Sequence, residues 1–360
     1  MTETFLAGGL IALLVTWLVT PLVKRLALRW GAVDLPNQRK VHDRVMPRLG
    51  GIAIYVGFVV ALWLIRPLNN ELLGLLLGGT AILLVGMLDD LRGLPPVGKL
   101  VGQIAAAAIV VAAGVRVEFV THPFSLEETI SLGWLTVPVT IFWIIGVTNA
   151  VNLIDGLDGL AAGVSAIAAA TLAVVAWKEG QMLVVYCALV LAASSLGFLR
   201  HNFHPAKIFM GDSGAMFLGY NLSVLAILGL TKSATTISLF IPVVILGIPL
   251  LDTSCAIIRR YVNNQPIFQA DKAHLHHRLL AMGFSHRQTV LMIYAVNLVL
   301  GASAILLTQL TTPQGTFILL ALSMVTLIGA NKLGIIGRGP ATSRKASGKA
   351  KQPSWHKLSH

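Results

Sequence analysis

Charged side chains are scarce in this sequence. Asp, Glu, Lys and Arg make up 12% of its 360 residues, where an ordinary soluble domain carries about 25%. Hydrophobic residues reach 56% and the mean hydropathy is +0.79, which excludes a soluble globular domain. Cysteine is rarer still. Cys187 and Cys255 are the two present, both inside apolar stretches, so a disulfide framework and a cysteine-based metal site are excluded and both read as small core residues. Internal repeats of the kind many transporters carry are also missing. Acids are outnumbered 15 to 27 by Lys and Arg, a net charge of +12. In so apolar a chain, a basic face beside anionic lipid headgroups accounts for that excess, and no nucleic-acid partner is expected.

What is abundant is long apolar sequence. Stretches near 5–23, 49–65, 71–88, 99–115, 134–151, 160–177, 182–199, 214–230, 236–257, 288–307 and 315–335 each approach the roughly 20 residues that cross a bilayer. The expected fold is an all-α polytopic membrane protein of about eleven transmembrane helices. It forms one domain over 1–335, followed by a basic, disordered tail over 336–360. The first span precedes Lys24-Arg25 instead of following them, the reverse of a cleaved signal peptide, so it is expected to be retained. Segments 24–48, 89–99, 200–213, 258–287 and the residues from 332 onward hold 23 of the 27 Lys and Arg. The positive-inside rule then places these loops and the C-terminus in the cytoplasm and the N-terminus outside. The acids sort the same way: all nine Asp fall on or near the cytoplasmic side and all six Glu outside. Short, stiff Asp suits placed ligands, so one cytoplasmic active face is expected. On the other side, Val115 to Val137 alternates apolar and polar residues around a polar turn, and a short periplasmic hairpin is expected there.

Polar groups beside membrane spans are expensive and point to a site. Asp89-Asp90 end the third span, with Lys99 in the following loop. An ion pair at a helix end would explain one carboxylate, but adjacent like charges call for a cation or proton. The run Asn149-x-x-Asn152-x-x-Asp155-Gly-x-Asp158-Gly slips about 60° at each step of three on an ideal helix. Its four polar groups converge only if the helix ends near Asn152 and the two Asp-Gly turns fold back. Gly211-Asp212-Ser213-Gly214 opens the eighth span. Its free backbone N–H groups could meet an anion, with Asp212 holding a divalent cation and Phe209 stacking on a flat ring; a plain N-cap is the simpler alternative. Asp271-Lys272-x-His274-x-His276-His277-Arg278 lies in the loop after span nine. On a helix His274, His277 and Arg278 share a face, and the cations beside the histidines suit a phosphate better than zinc. The first loop, Asn37 to Gly51, is basic. Pro242 and Pro249 in span nine could bend that helix and open a lipid-side entry groove.

Taken in order, these four motifs resemble the polyprenyl-phosphate N-acetylhexosamine-1-phosphate transferases of glycosyltransferase family 4, and the resemblance covers almost the whole chain. The His-x-His-His form resembles the branch acting on UDP-N-acetylglucosamine. The phospho-MurNAc-pentapeptide transferases have three consecutive histidines, where this chain has Leu275. The resemblance implies transfer of sugar-1-phosphate from a UDP-sugar to undecaprenyl phosphate with release of UMP, starting a lipid-linked envelope glycan such as lipopolysaccharide or teichoic acid. It implies Mg²⁺, with Mn²⁺ as a substitute, a bacterial inner-membrane location with the site facing the cytoplasm, contact with membrane lipids, and allows a homodimer.

By residue, the resemblance implies Asp212 as metal ligand, assisted by Asp89 or Asp90. Asp89 is the candidate to deprotonate or orient the lipid phosphate, and Asp155 the competing base or nucleophile. Asn202, Asp158 and Phe209 match positions that hold the uridine, and Asn152 a site-shaping one. His274, His276, His277 and Arg278 would engage the diphosphate and sugar, and Lys99 the phosphates. The rival from another class, a secondary transporter, places its acids near the bilayer midplane, whereas eight of the nine Asp here lie in loops or at span ends. The cytidine-diphosphate alcohol phosphotransferases need an Asp-Gly-x-x-Ala-Arg run, and neither Asp-Gly turn here supplies one.

Overall fold

The computed structural model describes residues 2–35, 45–63, 69–122, 125–230, 240–266 and 274–332. The basic part of the first loop, Asp271-Lys272 and the tail from 336 lie outside the described residues. The helices are α1 (Thr2–Trp30), α2 (Gly50–Leu62), α3 (Asn70–Arg92), α4 (Pro96–Ala112), α5 (Thr136–Ile154), α6 (Leu160–Lys178), α7 (Met182–Asn202), α8 (Gly211–Leu230), α9 (Ile241–Ile245), α10 (Gly247–Val262), α11 (Leu275–Ala281), α12 (His286–Leu307) and α13 (Thr312–Lys332). Among the described residues seven helices are long and apolar enough to cross a membrane, so this is an all-α polytopic membrane protein.

Two expected spans come out short: α2 has 13 residues and α4 has 17. The ninth is broken at Leu246 into α9 and α10. Its prolines do not bend one helix. Pro242 lies in the first turn of α9 and Pro249 in the first turn of α10, where the missing N–H would have had no intrahelical partner. The expected hairpin is present, with β3 (Phe119–His122) antiparallel to β4 (Ser125–Ser131). Strands β1 (Val33–Asp34) and β2 (Met46–Pro47) pair across the base of the first loop.

The bundle is organised around α8, whose residues 213–229 are buried on every side. Helices α2, α3, α5, α6 and α7 surround it. Close approach depends on glycine. A Cβ at Gly51 of α2 would strike the backbone of Gly214, one at Gly86 of α3 that of Ser213, and one at Gly219 of α8 that of Thr148 on α5. Without an aqueous hydrophobic drive between helices, such backbone-to-backbone packing is a main source of cohesion in a bilayer. Tyr220 fills the space beside Gly78 and donates its hydroxyl to Gly74 O at 3.2 Å. The outward faces of α1, α12 and α13 carry exposed Leu, Val and Phe, as a lipid-facing rim requires.

Candidate active site

The start of α8 is held by segments that sequence analysis picked out separately. Phe209 N–H donates to Pro47 O (2.8 Å), and Phe209 O and Met210 O accept from Gly50 and Gly51 N–H (3.1 and 3.0 Å). The paired glycines thus dock directly on the approach to Asp212. Gly211 has φ +72°, and a Cβ there would collide with the Asp90 carboxylate. That carboxylate, 2% exposed, accepts from Asp212 N–H (3.0 Å) and Ser213 N–H (3.1 Å). The helix N-terminus expected to be open to an anion is therefore already capped by an anion from α3. A buried carboxylate beside unsatisfied amides is stable only when the two meet, and Asp90 becomes a brace for α8.

Asp89 turns the other way. Its Oδ1 accepts from Leu94 N–H (2.7 Å), closing the loop between α3 and α4, and its Oδ2 lies 2.8 Å from Lys99 Nζ. Lys99 also pairs with Asp212, so one ammonium sits between two carboxylates from helices far apart in sequence. Asn152 Nδ2 reaches the same Asp212 oxygen at 3.4 Å. Beneath them Gln103 and Asn149 exchange amide hydrogen bonds at 2.8 and 3.1 Å. Gln103 is not among the expected site residues, although a polar side chain four residues after Lys99 in an apolar run is a usable sign.

Helix α5 continues two residues beyond the expected end, to Ile154, and then turns. Gly159 takes φ +80°, which a side chain would resist, and α6 starts at Leu160. Asp155 caps α5, and its carboxylate accepts no hydrogen bond from the described residues. Dehydration by the surrounding protein, then the negative charges of nearby Asp212, Asp90 and Asp158, push it up to about 8. Asp158 faces away: its Oδ2 accepts from Ala206 N–H (3.0 Å) and lies 2.9 Å from His204 Nδ1. Asn202 is buried and doubly engaged, accepting from Gly159 N–H and donating to Ile208 O, both at 3.0 Å. Asp158 and Asn202, the residues expected to hold a nucleoside, together tie the Asp-Gly turn to the 203–210 loop.

The histidine segment departs from a single shared face. His274 precedes α11 as its N-cap residue, with its ring 2.8 Å from Asp252 Oδ2. The rings of His274 and His276 are parallel, 6.0 Å apart, and His276 lies 4.3 Å from His277. His276 packs onto Gly156, where a Cβ would meet its ring. Burial, then the neighbouring His277, push His276 down to about 3, so it is a neutral packing ring at ordinary pH. His277 and Arg278 are half-buried along α11.

Two clusters could in principle hold a metal. Asp89 and Asp212 offer hard oxygen donors already arranged around the Lys99 ammonium, and carboxylates this crowded fit a divalent ion such as Mg²⁺. Asp158, His204 and His286 bring one ligand atom each within 4.8 Å of one another. There the acid and His204 already satisfy each other, and the two imidazoles stack at 4.2 Å, which does not aim their in-plane lone pairs at one point.

The described site is an acid-and-lysine centre at the end of a membrane helix bundle. Sequence comparison gives its family. The glycosyl transferase family 4 profile matches residues 72–230, from α3 to the end of α8. The chain is 47% identical to the probable undecaprenyl-phosphate N-acetylglucosaminyl 1-phosphate transferase of Bacillus subtilis, covering 91% of each chain. It is 36% identical to the decaprenyl-phosphate N-acetylglucosaminephosphotransferase of Mycolicibacterium smegmatis, over 92% of this chain and 89% of that one. It is 31% identical to the phospho-N-acetylmuramoyl-pentapeptide-transferase of Bacillus subtilis, over 84% and 96%. The chain belongs to glycosyl transferase family 4.

Proposed function

We propose that this protein transfers N-acetylglucosamine-1-phosphate from UDP-N-acetylglucosamine to undecaprenyl phosphate and releases UMP. The observation that carries the reading is the meeting of Asp89, Lys99 and Asn152 on Asp212, with Asp155 facing it, in a chain 47% identical to a relative of that name. An oxygen of the lipid phosphate attacks the phosphorus bonded to the sugar. The bond from that phosphorus to the oxygen shared with the uridine phosphate breaks, and UMP leaves with that oxygen. One pyrophosphate replaces another, so the barrier is repulsion among anions. Bound Mg²⁺, or Mn²⁺ in its place, would neutralise phosphate charge at Asp212 and Asp89. Lys99 adds a fixed positive charge. Of the two candidate bases Asp155 is favoured: Asp89 is already engaged by Lys99 and Leu94 N–H, whereas the Asp155 carboxylate accepts no hydrogen bond from the described residues.

We further propose eleven crossings, counting α9 and α10 as one. The N-terminus lies outside and the active site faces the cytoplasm of a bacterial inner membrane, as the distribution of Lys and Arg supports. The test combines purified protein, undecaprenyl phosphate, Mg²⁺ and a panel of UDP-sugars. UMP is expected with UDP-N-acetylglucosamine, is lost with EDTA and returns with Mg²⁺. No UMP from any donor would end the transferase reading, and UMP only from UDP-MurNAc-pentapeptide would move the chain to the other branch.

A further inference from the structure

We propose that Asp252 is a positioning residue for the transfer, holding the His274 ring in one tautomer and one orientation at the edge of the active site. The proposal rests on the transferase reading above. Asp252 lies in the first half of α10 and is 5% exposed. A carboxylate so buried must have partners, and both of its oxygens face a single segment. Oδ2 is 2.8 Å from His274 Nδ1, and Oδ1 accepts from Leu275 N–H at 2.8 Å. Leu275 opens α11, and the N-cap residue His274 makes no side-chain cap of its own. One side chain from another helix therefore does two jobs, capping α11 and fixing the ring before it.

The second job is the informative one. An amide oxygen would serve the Leu275 N–H equally well, but only an acceptor opposite Nδ1 keeps the proton there. Nε2 is then the nitrogen left to meet a ligand, as for histidines oriented by a carboxylate elsewhere. His274 lies parallel to His276, and His276 rests on Gly156 in the turn between Asp155 and Asp158. Asp252 thereby joins the broken ninth span to the turn that carries the candidate base, without touching the Asp89–Lys99–Asp212 centre.

Asp252→Asn separates the two jobs. It keeps an oxygen for Leu275 N–H but presents an N–H to Nδ1, driving the His274 proton to Nε2. In the UMP assay, kcat is expected to fall at least about tenfold, the lower end for losing a partner that orients an active-site histidine, with KM for the UDP-sugar and the melting temperature little changed. In the His274→Ala background the same substitution should have no further effect. Wild-type kcat in Asp252→Asn, or losses that multiply in the double variant, would overturn the proposal. If Asp252→Asn does not fold, ¹⁵N-histidine NMR of the wild-type protein decides, with His274→Gln used for assignment. A proton on Nδ1 is expected, and one on Nε2 overturns the proposal. Absence of UMP from the wild type would instead remove the transferase reading, while the NMR result still tests the Asp252–His274 contact.

Discussion

At the end of α3 two carboxylates are adjacent in sequence and leave the helix about 100° apart. In the turn after α5 two carboxylates stand three residues apart on a chain that has stopped being helical. In each place one acid accepts backbone N–H groups from a neighbouring segment: Asp90 from Asp212 and Ser213, and Asp158 from Ala206. The other, Asp89 or Asp155, faces the Asp212 region. Different local geometry reaches the same division because a crowded acidic centre can tolerate only so many uncompensated charges. The acids turned into the fold are those that meet main-chain donors from distant segments, whereas the Leu94 N–H that Asp89 accepts comes from the loop just after its own helix.

That comparison can be broken in order of effect. Asp212→Ala should lower turnover by at least about 10²–10³-fold, the scale of losing one charge-stabilising group, with the melting temperature nearly unchanged; substantial activity at saturating Mg²⁺ would contradict its central place. Asp155→Asn should cost about 10²–10⁴-fold in kcat, as loss of a general base does. If Asp89→Asn proved the more damaging, the roles of Asp89 and Asp155 would be exchanged. Asp90→Asn should act first on stability. One of its two main-chain bonds is replaced by opposed N–H groups inside the protein, a cost of about 1–3 kcal/mol. Thermal unfolding in detergent measures it, and loss of activity without any loss of stability would place Asp90 among the reacting groups instead.

The smallest effect is one of pH. In the folded protein His276 is held down to about 3 by burial and by His277, while in the unfolded chain it titrates near 6.5. Between those values the unfolded state binds the proton, so this contribution to stability is intact above about pH 6.5 and is lost progressively below it. The melting temperature should therefore decline from pH 7.5 to 5.5 more steeply in the wild type than in His276→Phe; parallel curves would show that the ring is not held neutral by its surroundings.

Much of this was legible in the sequence. Apolar runs mark the helices, and Asp residues at their ends mark the site, because both are local signals. The Asp155-Gly and Asp158-Gly turns required the chain to fold back, and it does so two residues later than expected. What could not be read was partnership across helices. Nothing near Asp252 indicates that it meets His274, and Gln103, His204 and His286 gain meaning only through residues far away in the chain. The shared face of His274, His277 and Arg278 failed for a physical reason: the Asp252 carboxylate captures the His274 ring and starts α11 one residue later.

Every helix that encloses α8 among the described residues — α2, α3, α5, α6 and α7 — precedes it in the chain. As the polypeptide leaves the ribosome, α8 is therefore the keystone of an arch whose other stones are already cut. Until it arrives, Gly51 and Gly86 have no backbone to rest on and the Asp90 carboxylate has no amides to cap. Closure of the bundle around α8 and assembly of the Asp89–Lys99–Asp212 centre are then one event, so a nascent chain ending before Gly211 would carry most of the membrane helices, with Asp89 and Lys99 present but the Asp212 that joins them missing.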